Sequence, residues 1–336
     1  MSQLQDRIAG ALAGMVLGDA FGVPGELWPR AKVRERFGRI TEFLDGPADN
    51  IVACYFKAGH YTDDSAQAFV VLNAIEAAST VPPVQTLAKD LIAWVESMNG
   101  FEINLLGPSS KASLLAWVKG EDLPVTKLSL TNGAAMRIAP VGCLIEAGEH
   151  EKIAEAAARV SRVTHSTDVT IAGAAMVAQA VASGVAGRSW EQTLADVKTI
   201  FPIASAKGEP TWAASILARL EVFEELVLKR REAYDDEAVS RFIHDVIGTG
   251  TMTSESVTAA LALAFWAQNP KKAAEIAANM GGDTDTIGCM AAAICGAHCG
   301  IGGIAAETVE FLEKTNGLHF GELAQGVMKT RAVFTL

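Results

Sequence analysis

Met280-Gly281-Gly282-Asp283-Thr284-Asp285-Thr286-Ile287-Gly288 places two carboxylates and two hydroxyls within four residues, bracketed by glycines and followed by an Ala-rich apolar run. Glycines let the backbone take positive φ and turn tightly. Asp and Thr cap a following helix, because their oxygens accept the orphan N–H groups of its first turn. A capping loop needs one such residue. This one has four, and Asp283 and Asp285 crowd like charges together. Such crowding is costly unless a positive charge sits between them. Two readings follow: an over-endowed N-cap, or a hard-cation site, since Mg²⁺, Mn²⁺ and Ca²⁺ prefer oxygen ligands. Taken alone, the stretch does not choose between them.

A second stretch repeats the logic. Tyr61-Thr62-Asp63-Asp64-Ser65 leads into the apolar pattern Ala66 to Ala78. Asp in a first turn suits the helix dipole, so a cap is again the simple account. Yet two stretches some 220 positions apart both set a Thr beside paired Asp residues at a helix start. If the two loops meet, four carboxylates converge, and only bound cations make that tolerable. The pairing favours a metal centre, with two ions.

The remaining bulk properties narrow the class. Half of the 336 residues are hydrophobic and 20% are charged, enough for a large core. The net charge of −11 argues against nucleic acid as a partner, which needs a basic face. Of the five cysteines, Cys289, Cys295 and Cys299 fall in one apolar stretch and are read as buried small side chains in a reducing compartment. Cys295, His298 and Cys299 fit no usual zinc spacing. The N-terminus carries no signal pattern. The apolar runs 170–187 and 289–306 are Ala- and Gly-rich with polar interruptions, which suits buried helices better than membrane spans. The expectation is a soluble, cytoplasmic protein.

Periodicity predicts helices over 3–18, 66–78, 84–97, 109–119, 149–162, 169–186, 189–199, 212–230, 236–247, 254–268, 270–279, 284–299 and 319–332. Gly18 to Glu26 reads as loop, with Asp19 and Glu26 as its acids. Residues 27–60 resist assignment, apart from a charge run from Arg30 to Arg39 that reads as a solvated helix face. Residues 123–130 read as irregular. Asn132-Gly133 is a turn signal opening a helix with Arg137 early in it, read most simply as a cap with a surface arginine. Backbone N–H groups at such a start can also hold an anion. His165 stands at a loop–helix junction beside Asp168, as a cap, a substrate contact or a pH-sensitive group. Gly248-Thr249-Gly250-Thr251 reads as a hinge-like loop. No strand alternation, βαβ rhythm, GxGxxG or P-loop appears. The expected fold is all-α, one multi-helical domain over 1–336, with its chemistry on inter-helical loops.

Together these residues resemble the ADP-ribosylglycohydrolase family, also described as the dinitrogenase-reductase-activating glycohydrolase or crystallin J1 fold. The matching stretches are Gly18-Asp19-Ala20 with Glu26, Thr62-Asp63-Asp64-Ser65, Asn132 to Arg137 with Pro140 and Gly142, His165-Ser166, Glu255-Ser256-Val257, and Gly281 to Gly288. They occur in the family's order across most of the chain. The resemblance implies a cleft with a binuclear Mg²⁺ or Mn²⁺ centre. Thr62, Asp63 and Asp64 would ligate from one side, and Asp283, Asp285 and Thr286 from the other. Glu26 would approach from a mobile loop. The implied activity is hydrolysis of the glycosidic bond at C1 of an ADP-ribose unit, protein-linked or small. Cleavage at an anomeric carbon passes through an oxocarbenium-like state that nearby negative charge helps. Asp283 or Glu26 would be the base for the attacking water. Asn132, Gly133, Met136, Arg137, His165, Gly250 and Thr251 would hold phosphate or base.

Two departures stand out. Ser65 replaces the usual Thr and keeps the hydroxyl. Leu105 stands where relatives that act on modified proteins place an Asp, with Asn104 and Glu102 as the nearest polar groups. This favours an alternative substrate, a free nucleoside or small ribosyl compound. Tyr55 and Phe56 either stack on a base or pack the core. A third reading, a non-catalytic crystallin-like protein, gives no reason for five acids near one cleft.

Overall fold

The computed structural model describes residues 1–121 and 124–336. In order, α1 is Gln3–Gly22, α2 Arg30–Phe37, α3 Asp63–Ala78, α4 Val84–Ser97, α5 Pro108–Lys119, α6 Ala139–Leu144, α7 His150–Ser161 and α8 Asp168–Val185. There follow α9 Trp190–Ser205, α10 Ile216–Leu226, α11 Asp236–Phe242, α12 Thr253–Ala267, α13 Pro270–Ala278, α14 Thr284–Cys299, α15 Ala306–Asn316 and α16 Phe320–Arg331. Helix accounts for 69% of the protein, and among the described residues there is no β-strand. The expected all-α fold is therefore what forms. The irregular segment expected at 123–130 begins at Leu123, which lies outside the described residues; Pro124–Lys127 is a short 3₁₀ turn.

The first helix does not stop at Gly18. α1 continues to Gly22 and passes directly into the 3₁₀ turn Val23–Gly25, so the loop expected from Gly18 is helical. The glycines serve packing instead. Gly10, Gly14, Gly18 and Gly22 recur every fourth residue and press against the backbone of α14. A Cβ at Gly18 would lie 1.9 Å from the Gly288 carbonyl oxygen, and one at Gly14 2.2 Å from that of Ala292. Close backbone contact is what a missing Cβ permits. α1 and α14 form the central pair of the core, flanked by α8, α12 and α13. α1 and α8 have the length and hydropathy of a membrane span, yet the relevant windows are 100% and 94% buried inside the fold.

Two further boundaries differ from expectation. The helix predicted over 212–230 begins only at Ile216, where Ser215 accepts the Ala218 N–H as N-cap, and it gives way to a 3₁₀ turn at Leu228–Ala233. α15 was not expected. Only Leu312 of its residues is buried, so its sequence carries almost no apolar stripe to read.

Candidate metal centre and active site

The consequence of the α1–α14 contact is that the two acidic loops meet. Asp19, one turn from the end of α1, is fully buried. Its carboxylate accepts the N–H groups of Thr62 and Ser65, each at 3.0 Å, and the Ser65 hydroxyl at 2.6 Å. It therefore caps α3 from outside and fixes the Thr62–Ser65 turn. Asp19 thus sits in α1 and not in the loop expected from Gly18. On the other side, Thr284 Oγ1 donates to the Gly22 carbonyl at 2.7 Å and holds the start of α14 against the end of α1.

Glu26 joins through the backbone. The Leu27 N–H donates to Gly282 O, and the Gly282 N–H donates to Trp28 O, a short antiparallel bridge. Gly281 and Gly282 have φ of +78° and +85°. A Cβ on Gly282 would lie 2.1 Å from Thr249 O, so the turn needs glycine in both shape and space. Asn50 Nδ2 donates to the Glu26 carbonyl at 2.8 Å, which ties the rim at 50–53 to the same residue. Glu26 is 9% exposed.

Asp283 is held from two directions. Its N–H donates to Thr249 O at 2.7 Å, and its Oδ2 accepts from Asn132 Nδ2. The same Asn132 amide donates to Ser256 Oγ at 2.9 Å. Backbone pairing of Thr131 with Met252 brings the 131–136 and 248–252 loops together at one lip.

The resulting cleft holds about 240 Å³ and is lined by Glu26, Asp63, Asp64, Asp283, Asp285 and Thr286, with Thr131, Asn132, Gly133, Met136 and Thr251 at the lip. Ligand oxygens of Glu26, Asp283 and Asp285 lie within 4.8 Å of one another. Two unit charges at such a distance repel by roughly 3–4 kcal/mol at an effective dielectric of 20. The carboxyls respond accordingly. Burial, then the charges of Asp19 and Asp283, lift Asp63 to about 8. Burial also lifts Asp19, to about 6, against its hydrogen bonds. Burial followed by neighbouring carboxylates pushes Glu26, Asp64 and Asp285 well above the carboxylate range.

Three buried oxygens of the cleft, Glu26 Oε2, Asp64 Oδ2 and Asp285 Oδ1, have no hydrogen-bond partner among the described residues. A buried acceptor without a partner costs roughly 1–3 kcal/mol, and more when charged. A cluster of hard oxygen donors, each lacking a positive partner, fits a hard divalent cation.

The remaining predicted residues are placed differently. Thr62 is buried at the α3 N-cap, its hydroxyl accepting the Asp64 N–H at 3.3 Å. Arg137 is the largest fully buried side chain, so it is neither a surface arginine nor part of the cleft wall. The 3₁₀ turn Asn132–Ala134 turns the chain inward before Arg137. Its guanidinium donates to Gln67 Oε1 at 2.9 Å and Thr164 Oγ1 at 2.7 Å, and burial lowers it to about 10. Gln67 Nε2 in turn donates to Asp63 Oδ2 at 2.9 Å. His165 is also fully buried, with Nδ1 against Thr164 and Nε2 against Thr131. Burial and Arg137 push it down to about 3, which keeps the ring neutral. Gly250 donates its N–H to Glu255 Oε2 at 3.0 Å and does not line the cleft. Cys295, His298 and Cys299 do not gather, and Cys299, expected to be buried, is exposed at the end of α14. Cys295 packs on the Ala264 carbonyl, and the His298 ring stacks on Trp190 at 3.8 Å.

Asp19, Gln67 and Thr164 were given no role by sequence reasoning. Gln67 had a signal, because it lies one helical turn after Asp63 on the same face. Asp19 had one in its motif, Gly18-Asp19-Ala20. Thr164 had none.

The fold and this acidic cleft define a helical hydrolase of glycosyl compounds. The chain belongs to the ADP-ribosylglycohydrolase family, whose profile matches residues 1–333. It is 40% identical over 331 residues to the uncharacterized protein YegU of Escherichia coli K12, covering 97% of each chain. It is 24% identical over 336 residues to ADP-ribosylarginine hydrolase Tri1 of Pseudomonas putida GB-1, covering 96% of this chain and 78% of that one. A solved structure, an ADP-ribosylglycohydrolase-related protein complex, shares the fold with a TM-score of 0.71 at 20% identity, over all of both chains.

Proposed function

We propose that this protein hydrolyses the glycosidic bond at C1 of an ADP-ribosyl compound and depends on two divalent cations, Mg²⁺ or Mn²⁺. The observation that carries the reading is the set of three orphaned carboxylate oxygens, drawn from three separate chain segments into one cleft. Asp63 and Asp64 would hold cations from one wall, and Asp283, Asp285 and Thr286 from the other, with Thr62 beside them. When bound, such ions orient vicinal ribose hydroxyls and supply Lewis-acid stabilisation. The chain does the rest. Glu26 and Asp283 are the candidate bases for a water at C1. Asn132 fixes the Asp283 carboxylate, and the ring of cleft carboxylates stabilises developing positive charge on the sugar. Thr131, Gly133, Met136 and Thr251 would contact substrate at the lip, whereas Arg137 and His165 act from beneath.

A second reading keeps the chemistry and takes a smaller ribosyl compound. It is favoured by Leu105, which presents an aliphatic wall to the cleft where a cationic leaving group would need a carboxylate. Turnover of ADP-ribosyl-arginine, O-ADP-ribosyl-serine, other ADP-ribose derivatives and common nucleosides, with and without metal, tests both. Release of ADP-ribose supports the first reading. Release of free base from nucleosides alone supports the second. Hydrolysis that persists in Asp283→Ala overturns the site assignment.

A further inference from the structure

Beside the acidic cleft lies a second cavity, of about 380 Å³, and Leu105 belongs to the walls of both. That volume falls in the range of small-molecule pockets, roughly 300–1,000 Å³. Both cavities open between the same two loops. Ile51, Val52, Asn104 and Leu106 face the cleft, while Tyr55, Phe56 and Ile103 face the second cavity. Thr62, the residue before the cleft carboxylates, also lines the second cavity.

The chemistry of the two spaces is opposite. The cleft is walled by five carboxylates; the second cavity has none among the described residues of its lining. Its aromatic walls are Tyr55, Phe56, Tyr61 and Trp94, with Met98 and Ile103 completing an apolar surface. Of its two basic side chains, Lys57 pairs with Asp45 at 2.9 Å, and His60 Nδ1 lies 3.3 Å from the Lys57 carbonyl oxygen. Tyr55 is 48% exposed and Met98 52%, so these side chains are not spent on the core. The Tyr61 ring lines the cavity, and its hydroxyl makes no hydrogen bond to the described residues. Aromatic faces, a thioether and a free phenol without net charge suit a flat, uncharged ring. Among the described residues they include no carboxylate, the ion-pair partner that would select a guanidinium over a neutral ring.

We propose that this cavity is the subsite for an uncharged aromatic leaving group, which crosses Leu105 from the scissile bond in the cleft. The inference rests on the hydrolase reading for its place in the reaction, but not for ring binding itself. It narrows the substrate class from any ADP-ribosyl compound to one whose C1 substituent departs, with the electron pair of the broken bond, as a neutral planar ring. The adenine end stays on the other lip, at Thr131 and Thr251.

The test uses the intact wild-type protein under chelator, where no turnover occurs, and reads the part of tryptophan emission that Trp94→Phe removes. The probes are nicotinamide as the ring, ADP-ribose as the adenine end, and arginine methyl ester as the cation. The expected result is saturable quenching by nicotinamide, unchanged by saturating ADP-ribose and absent with the arginine ester. Tyr55→Ala, at an exposed position, lowers nicotinamide affinity roughly threefold to tenfold, within the range of one aromatic pair. Quenching by ADP-ribose in competition with nicotinamide would assign the cavity to adenine and overturn the leaving-group role. A silent Trp94 with every ring, or equal response to the arginine ester, overturns the proposal outright. Either failure leaves hydrolysis in the cleft untouched, and loss of hydrolysis leaves ring binding untouched.

Discussion

Arg137 and Asp63 are joined through one side chain. Gln67 donates to Asp63 Oδ2 and accepts from Arg137 Nη1, both at 2.9 Å. The relay continues from Arg137 through Thr164 to His165, and from His165 to Thr131 at the opposite lip of the cleft. A buried cation thus underlies the acidic cluster and ties its two walls together, with His165 held neutral so that no second positive charge competes.

Arg137→Met should therefore affect more than packing. Removing one member of a buried charged network costs roughly 3–5 kcal/mol. Loss of a group that orients a metal ligand weakens metal affinity by about 10- to 100-fold. Chemical denaturation and Mn²⁺ titration at one pH measure the two effects. Destabilisation with unchanged Mn²⁺ affinity would reduce Arg137 to a packing residue.

Neutralising a cleft carboxylate should separate stability from function. Asp64→Asn and Asp285→Asn remove buried like-charge repulsion, so each metal-free variant is expected to be more stable than wild type at pH 8, by about 1 kcal/mol or more. The same variants should lose the stabilisation that metal gives wild type. Thermal melts with and without Mn²⁺ check both; a destabilised metal-free Asp64→Asn protein would contradict the electrostatic account.

The pH dependence has a definite sign. Asp19 rises from 3.8 to about 6 and Asp63 from 3.8 to about 8 on folding. A carboxyl raised in the folded state holds its proton more tightly there than in the unfolded chain. Its contribution is full below about pH 4 and is lost as pH rises through about 6 and then about 8. Metal-free protein should melt lower at pH 8 than at pH 5.5, and the melting shift given by Mn²⁺ should grow over the same interval. A metal-induced shift that is flat or falls with pH would contradict this.

Two glycines carry the frame. Gly18→Ala drives a methyl into the Gly288 carbonyl, and Gly282→Ala combines positive φ with a clash at Thr249 O. Each should cost roughly 1–3 kcal/mol or more. They differ in consequence, because Gly282→Ala moves Asp283 and should also lower metal affinity. Equal metal affinity in both variants would contradict the link from the Gly282 turn to the site.

The readable parts of the sequence were those where one local rule decides. α14 runs over 284–299 as expected, because an Asp-Thr start and Gly300 mark its ends. The acidic pairs were legible because crowded carboxylates have few explanations. Gly18 misled because a glycine inside a helix and a glycine ending one look alike; only the facing backbone of α14 separates them. Arg137 misled for a related reason: its burial depends on Gln67 and Thr164, which are distant in sequence. Sequence alone gives Tyr55 and Phe56 as either core or ligand contacts, and the structure places them outside the core cluster, in the wall of a cavity.

On the proposed function, the carboxylates of Asp63, Asp64, Asp283 and Asp285 hold the ions that hydrolysis requires. The most direct measurement is turnover of the accepted ADP-ribosyl substrate as Mn²⁺ is titrated into chelator-stripped protein, alongside Asp283→Ala. The expected result is no turnover without metal, saturation at two equivalents per chain, and none in the variant at any Mn²⁺ concentration. Full turnover in the stripped protein, or in Asp283→Ala, would contradict it.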